Sequence, residues 1–132
     1  MKAKTISVHG CSGYFTKKIS AQGFTVTKGK ADISVLGENW DTDDKIDAKI
    51  VFVPENIGQI NIVNCVSLVS AGMGGKATLS FSSINDDTAV LSVSRQVDLG
   101  GKTASIGEVK TPFDLKLSIY ENLILGFLTH FM

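Results

Sequence analysis

Within residues 5–16 this chain passes from a strand pattern through a glycine turn into a helix mouth, and no other stretch restricts the fold as strongly. Thr5-Ile6-Ser7-Val8-His9 alternates polar and β-branched side chains, as a strand does. Gly10-Cys11-Ser12-Gly13 interrupts it, and Lys17-Lys18-Ile19-Ser20-Ala21-Gln22 continues as a helix that Gly23 ends in left-handed geometry. Backbone N–H groups at a helix mouth of this kind can hold an anion. Gly10, Cys11, Ser12, Gly13 and Lys17 are therefore the candidate ligand-binding residues. Gly10 and Gly13 are both expected where the backbone needs positive φ or a close approach. The competing reading gives the two glycines only that turning role.

Residues 4–27 resemble the opening βαβ unit of NAD(P)-binding Rossmann proteins, above all the short-chain-dehydrogenase-like group with its G-x-x-G-x-x-G turn. Gly10 and Gly13 match the first two glycines, while Thr16 stands in place of the third. Phe24-Thr25-Val26-Thr27 matches the second strand. The resemblance implies a nucleotide ligand, yet the acidic ribose partner expected after that strand is replaced by Lys28-Gly29-Lys30. No tight dinucleotide binding is expected, and no cofactor is assigned.

The chain has 132 residues, enough for one domain spanning 1–132. Thirteen basic and thirteen acidic side chains cancel, so no net field draws it to nucleic acid or anionic lipid. Arg95 is the sole arginine, which disfavours nucleic acid further. The apolar run at 115–132 is broken by Lys116, Glu121, Asn122 and His130, and so it is not read as a membrane span. No signal peptide is read at the start. Two cysteines, Cys11 and Cys65, without a disulfide framework fit a cytoplasmic protein.

Further strands are expected at 31–36, at 49–53 before Pro54, and at 66–70, with 55–64 ambiguous between helix and loop. Residues 77–84 and 89–94 alternate around Asn85-Asp86-Asp87 and read as a β-hairpin with one dry face. Gly100-Gly101 marks a turn, followed by a weaker strand at 102–109. Thr111-Pro112-Phe113-Asp114 has the form of a helix start, opening an apolar helix over 112–132. The fold expected is α/β in two or three layers: a Rossmann-like, partly parallel sheet extended by an antiparallel hairpin, closed by a C-terminal apolar helix.

Other constellations are incomplete. Ser70-Ala71-Gly72-Met73-Gly74-Gly75-Lys76-Ala77 approaches a P-loop, but Ala77 replaces the hydroxyl residue and a strand pattern follows. Cys11 and Lys17 have the spacing of a Cys-x5-Arg phosphatase with lysine in place of arginine, and a phosphocarrier cysteine would need neither. Glu38, Asp41, Asp43, Asp44 and Asp47 make an acidic loop without EF-hand spacing, and Trp40 within it either anchors a ligand or folds back on the sheet. His9 and His130 lack metal-ligand companions, and no metal is assigned.

Three functions remain open: a noncatalytic binding or regulatory module, a nucleotide- or phosphate-ligand enzyme built on Gly10–Lys17, and a phosphocarrier using Cys11. The helix at 112–132 carries apolar residues on most sides, among them Leu125 and Phe127, exceeding the stripe of about 100° that one-sided packing needs. It is either sandwiched inside the domain or packed on a partner, and a homodimer through this helix is the favoured expectation.

Overall fold

A computed structural model describes residues 4–40 and 45–132. The strands are β1 (Thr5–His9), β2 (Thr25–Val26), β3 (Ala31–Leu36), β4 (Ile46–Pro54), β5 (Ile62–Val63), β6 (Ser67–Ala71), β7 (Leu79–Ile84), β8 (Thr88–Val93), β9 (Val97–Asp98), β10 (Thr103–Ala104) and β11 (Gly107–Pro112). The helices are α1 (Gly13–Ala21) and α2 (Ile119–Phe131). One sheet runs in the order β11-β8-β7-β6-β4-β3-β1-β2, with β5 paired to β4 off that path; β9 and β10 form a separate ribbon.

The sheet changes character halfway across. From β2 to β6 every neighbouring pair is parallel, whereas β7-β8 and β8-β11 are antiparallel. β3 and β4 carry long apolar runs because both faces are covered; Ile33, Val35, Leu36, Val51 and Phe52 are fully buried. β8 instead alternates buried and half-buried residues, as expected of a hairpin strand with one dry face.

Among the described residues, β1 and β2 are the one pair of parallel strands joined through a helix, α1. The described residues joining β3 to β4 and β4 to β6 contain no helix, although both pairs are parallel. Loops cover the second face of the sheet instead. There Leu36, Ile46, Ala48, Val51 and Val53 form a small core with Trp40, Ile57, Ile60 and Ile62 packed over it. The main core lies on the other face. Phe15 and Ile19 of α1 join Leu123, Ile124, Phe127 and Leu128 of α2 over Ile6, Ile33, Ile50 and Phe52. Both helices therefore share one layer.

The C-terminal helix departs from expectation at its start and in its environment. Thr111-Pro112 does not open a helix: β11 runs to Pro112, whose missing N–H is tolerated on an edge strand, and the Phe113 amide still donates to Asp87 O. The start is set by Ser118 and Glu121, a complete capping box. Asn122, one of the polar residues that break the apolar run, is buried and braces the turn before the helix; its side chain accepts from the Asp114 amide and donates to Asp114 O.

Most of the apolar surface of α2 is used within this chain. Eight helix residues, Tyr120, Glu121, Asn122, Leu123, Ile124, Gly126, Phe127 and Leu128, are buried within this one chain, and Leu125 is half-buried. Phe127 stands edge-on to Phe52, with ring centroids 5.6 Å apart. The apolar excess of α2 is the mark of a sandwiched helix. That excess does not by itself call for a partner.

Candidate functional site

The parallel strands of the sheet end at the same edge, and the chain leaving β1, β3, β4 and β6 there builds two adjoining cavities with the start of α2. The larger, about 510 Å³, is lined by Gly37, Glu38 and Trp40 after β3, by Pro54 at the end of β4 and Glu55, Asn56, Ile57 and Gly58 beyond it, by Ala71 at the end of β6 and Gly72 and Met73 beyond it, and by Ile119 and Tyr120 at the mouth of α2. The smaller, about 190 Å³, is lined by Gly10, Cys11, Ser12, Gly37, Glu38, Asn39, Ser118, Tyr120 and Glu121. Ligands of open α/β sheets bind outside the carboxyl ends of parallel strands, which is where both cavities lie.

The glycine turn expected to hold an anion is present, but its anion position is filled from within the chain. Ser12 caps α1, accepting from the Phe15 amide. Its own amide and hydroxyl donate to Glu121 Oε2 at 2.8 and 2.9 Å. The second oxygen of that carboxylate, Oε1, accepts from the Ser118 amide at 3.2 Å and so closes the capping box of α2. One buried carboxylate, on a residue 6% exposed, thus serves two helix N-termini. Negative charge is stabilised at such ends, so Glu121 already supplies what a phosphate would.

The five candidate residues do not act as a set. Gly10, Cys11 and Ser12 line the smaller cavity; Gly13 and Lys17 line neither. Gly10 has φ +71°, and a Cβ there would lie 2.5 Å from the Trp40 backbone nitrogen. Gly13 differs from expectation: it is the first residue of α1, and a Cβ on it would meet nothing within 4 Å. Its place in the turn needs no glycine. Lys17 is exposed on α1.

Cys11 is held as a thiol. Burial first, then the charges of Glu121 and Glu38, push its pKa up to about 12. A nucleophilic cysteine needs the opposite shift, so the environment works against both the phosphatase-like and the phosphocarrier chemistry. The same shift has a signed effect on stability. A thiol whose ionisation is disfavoured only in the folded chain contributes full stability below its ordinary value of 9.0. That contribution should fall as pH rises from about 9 to about 12. Replacement of Cys11 by alanine is expected to flatten the alkaline fall measured by denaturant unfolding. In the native protein at pH 8, iodoacetamide should modify exposed Cys65 and spare Cys11 until urea is added; mass spectrometry giving equal labelling of both would contradict this environment.

The glycine-rich segment after β6 is filled in a comparable way. It leads into β7, a strand, so no helix faces it. The Gly74 amide donates to Glu55 Oε1, and a Cβ on Gly72 or Gly74 would lie within about 3 Å of the Glu55 carboxylate. A carboxylate from the loop after β4 takes the position a P-loop reserves for phosphate.

Other side chains of the larger cavity are firmly placed. The Tyr120 hydroxyl donates to Leu36 O at 2.6 Å, and burial raises its pKa. Trp40 folds back onto the small core, and its Nε1 is buried without a hydrogen-bond partner among the described residues. Met73 and Ile119 are large apolar side chains left 50% and 43% exposed at this edge. On the flank of the site, Tyr14 donates to Asp114 at 2.6 Å and Lys18 lies 3.6 Å from the same carboxylate, fastening α1 to the turn before α2.

Of the acidic loop, Asp41, Asp43 and Asp44 lie outside the described residues; Glu38 lines both cavities and Asp47 accepts from Asn64 Nδ2. Among the described residues no three His, Cys, Asp or Glu side chains are grouped to hold a metal ion. No helix among them is long and apolar enough to cross a membrane. His9 Nε2 lies 3.3 Å from Ser7 Oγ, which donates nothing to the cavity but pairs with Ser34 Oγ at 2.9 Å.

Glu55, Met73, Tyr120 and Glu121 were not singled out by sequence as site residues. A signal for Glu121 existed, since Ser118-x-x-Glu121 before an apolar run is a capping-box pattern. Glu55 and Met73 are brought together by the parallel pairing of β4 and β6, and Tyr120 reaches the same edge from the start of α2. Comparison with protein-family models, with curated proteins and with solved structures found no match for this chain.

Proposed function

We propose that this protein is a noncatalytic binding module of Rossmann-like descent in its β1-α1-β2 opening, with its ligand seat in the larger carboxyl-edge cavity. The observation that carries the reading is the placement of that cavity across the ends of β3, β4 and β6, together with Glu121 in the anion position beside β1. A volume of about 510 Å³ is within the range of small-ligand sites. The described groups around it do not form a nucleophile–base pair: the Tyr120 hydroxyl is committed to a backbone carbonyl, and Cys11, in the adjoining smaller cavity, is held as a thiol. Binding, with no covalent step, is the activity this lining supports.

A thermal-shift screen of small metabolites tests the reading. Ligands that stabilise the parent should lose that effect in the variant Met73→Lys, whose substitution falls on a half-exposed rim position and gives up the Met73 Sδ contact with the Phe81 amide. Hits that survive Met73→Lys, and whose effect disappears instead in Ser12→Pro, would place the seat at the glycine turn and restore the nucleotide reading.

A further inference from the structure

We infer that the ligand of the larger cavity is a small organic cation, an ammonium or guanidinium group carried on an apolar body. The inference rests on the seat assigned above and adds the charge of its occupant. Among the described residues, every charged side chain lining the two cavities is acidic: Glu38 and Glu55 in the larger, Glu38 and Glu121 in the smaller. The chain as a whole has equal numbers of basic and acidic residues, so this one-signed edge is a local arrangement and not a reflection of composition. The usual source of positive field here, the N-termini of α1 and α2, is already neutralised by the Glu121 carboxylate.

A concave surface lined by one sign of charge concentrates ions of the opposite sign. An anion entering this cavity would lose hydration and meet two carboxylates; a cation would meet the partners it needs. Met73 and Ile119 supply the apolar counterpart. Both are exposed at the cavity and would be covered by the body of an amphiphilic cation. Glu38 is the freer of the two carboxylates, since Glu55 also receives the Gly74 amide.

A matched series with one hydrocarbon chain separates charge from size: n-hexylammonium, hexylguanidinium, hexanol and hexanoate. Titration followed by ¹H–¹⁵N spectra should show the two cations binding more tightly than hexanol and hexanoate, with shifts at Trp40, Gly72 and Met73. Glu38→Gln should weaken hexylammonium about fivefold and leave hexanol unchanged. Glu55→Gln, which keeps an acceptor for the Gly74 amide, should weaken it by a similar factor. Added salt should weaken the cations alone. If hexanoate or hexanol binds at these residues as well as hexylammonium, the cationic inference falls and the cavity assignment stands. If no member of the series perturbs Trp40, Gly72 or Met73 at millimolar concentration, both fall.

Discussion

Gly37→Ala leaves the protein unfolded or close to it. The residue follows β3 at the point where the loop crosses the turn after β1, and a Cβ there would overlap the Gly10 carbonyl and lie 2.8 Å from Cys11 Sγ. Backbone of one strand end would be pressed into backbone of another. The Gly37 amide donates a hydrogen bond to His9 O that ties the two segments together, and the clash is with backbone, so the overlap is not relieved by a rotamer change. Gly10→Ala meets the mirror of this problem, with the Trp40 backbone 2.5 Å away and an added cost of about 1 kcal/mol for a side chain at φ +71°. Overpacking of this kind costs roughly 3 kcal/mol or more where nothing can yield. Against a total stability of about 5–15 kcal/mol, either change is severe. Gly13→Ala is the control, expected within about 1 kcal/mol of the parent because its Cβ enters open space on a helix. Urea unfolding of the three variants checks the order. Equal loss at Gly10 and Gly13 would contradict the described turn.

The second large effect belongs to Glu121. Removal of its carboxylate in Glu121→Ala leaves the Ser12 amide, the Ser12 hydroxyl and the Ser118 amide without their acceptor, at a joint that fastens two helices. Unpaired donors of this kind cost on the order of 3 kcal/mol together, water relieving part of the loss at the exposed Ser12 and Ser118. Glu121→Gln keeps one acceptor oxygen and should be milder. A further consequence separates this account from a merely structural salt-and-pepper loss of stability. In Glu121→Ala the vacated position faces the N-terminus of α1, so inorganic phosphate should stabilise the variant and leave the parent unaffected. A melting temperature for Glu121→Ala that is unchanged from the parent, or a phosphate effect equal in both proteins, would contradict the internal-anion reading.

Much of the framework was legible from local pattern. The strand at 31–36, the turn at 85–87 and the strand–turn–helix at the start all depend on neighbours in sequence, where alternation and glycine placement speak directly. The C-terminal helix was visible as an apolar run, but its start was not. Thr111-Pro112-Phe113-Asp114 and Ser118-x-x-Glu121 both look like caps, and tertiary pairing chose between them: Thr111 is paired to Ala89 in β11, while Ser118 is free to cap. Helix burial was illegible for a related reason. Apolar residues on all sides of a helix fit a partner or a sandwich equally well, and only the fold shows Phe127 against Phe52. The site was the least legible part, since Glu38, Glu55 and Met73 follow three different strands and Glu121 lies in the first turn of α2, and only the folded sheet brings them to one edge. Most telling is Ser12 with Glu121, 109 residues apart: the glycine turn advertised an anion site, and the chain itself filled it.

The central claim is that ligand enters at the ends of β3, β4 and β6 and not at the glycine turn. Backbone ¹H–¹⁵N spectra of the parent, recorded with n-hexylammonium chloride and separately with NADP, test it most directly. The account predicts shifts at Trp40, Gly72 and Met73 with the cation, and an unchanged spectrum over residues 10–17 with NADP at millimolar concentration. Saturable NADP shifts at Gly10, Ser12 and Gly13, with the carboxyl-edge residues unmoved by the cation, would contradict it.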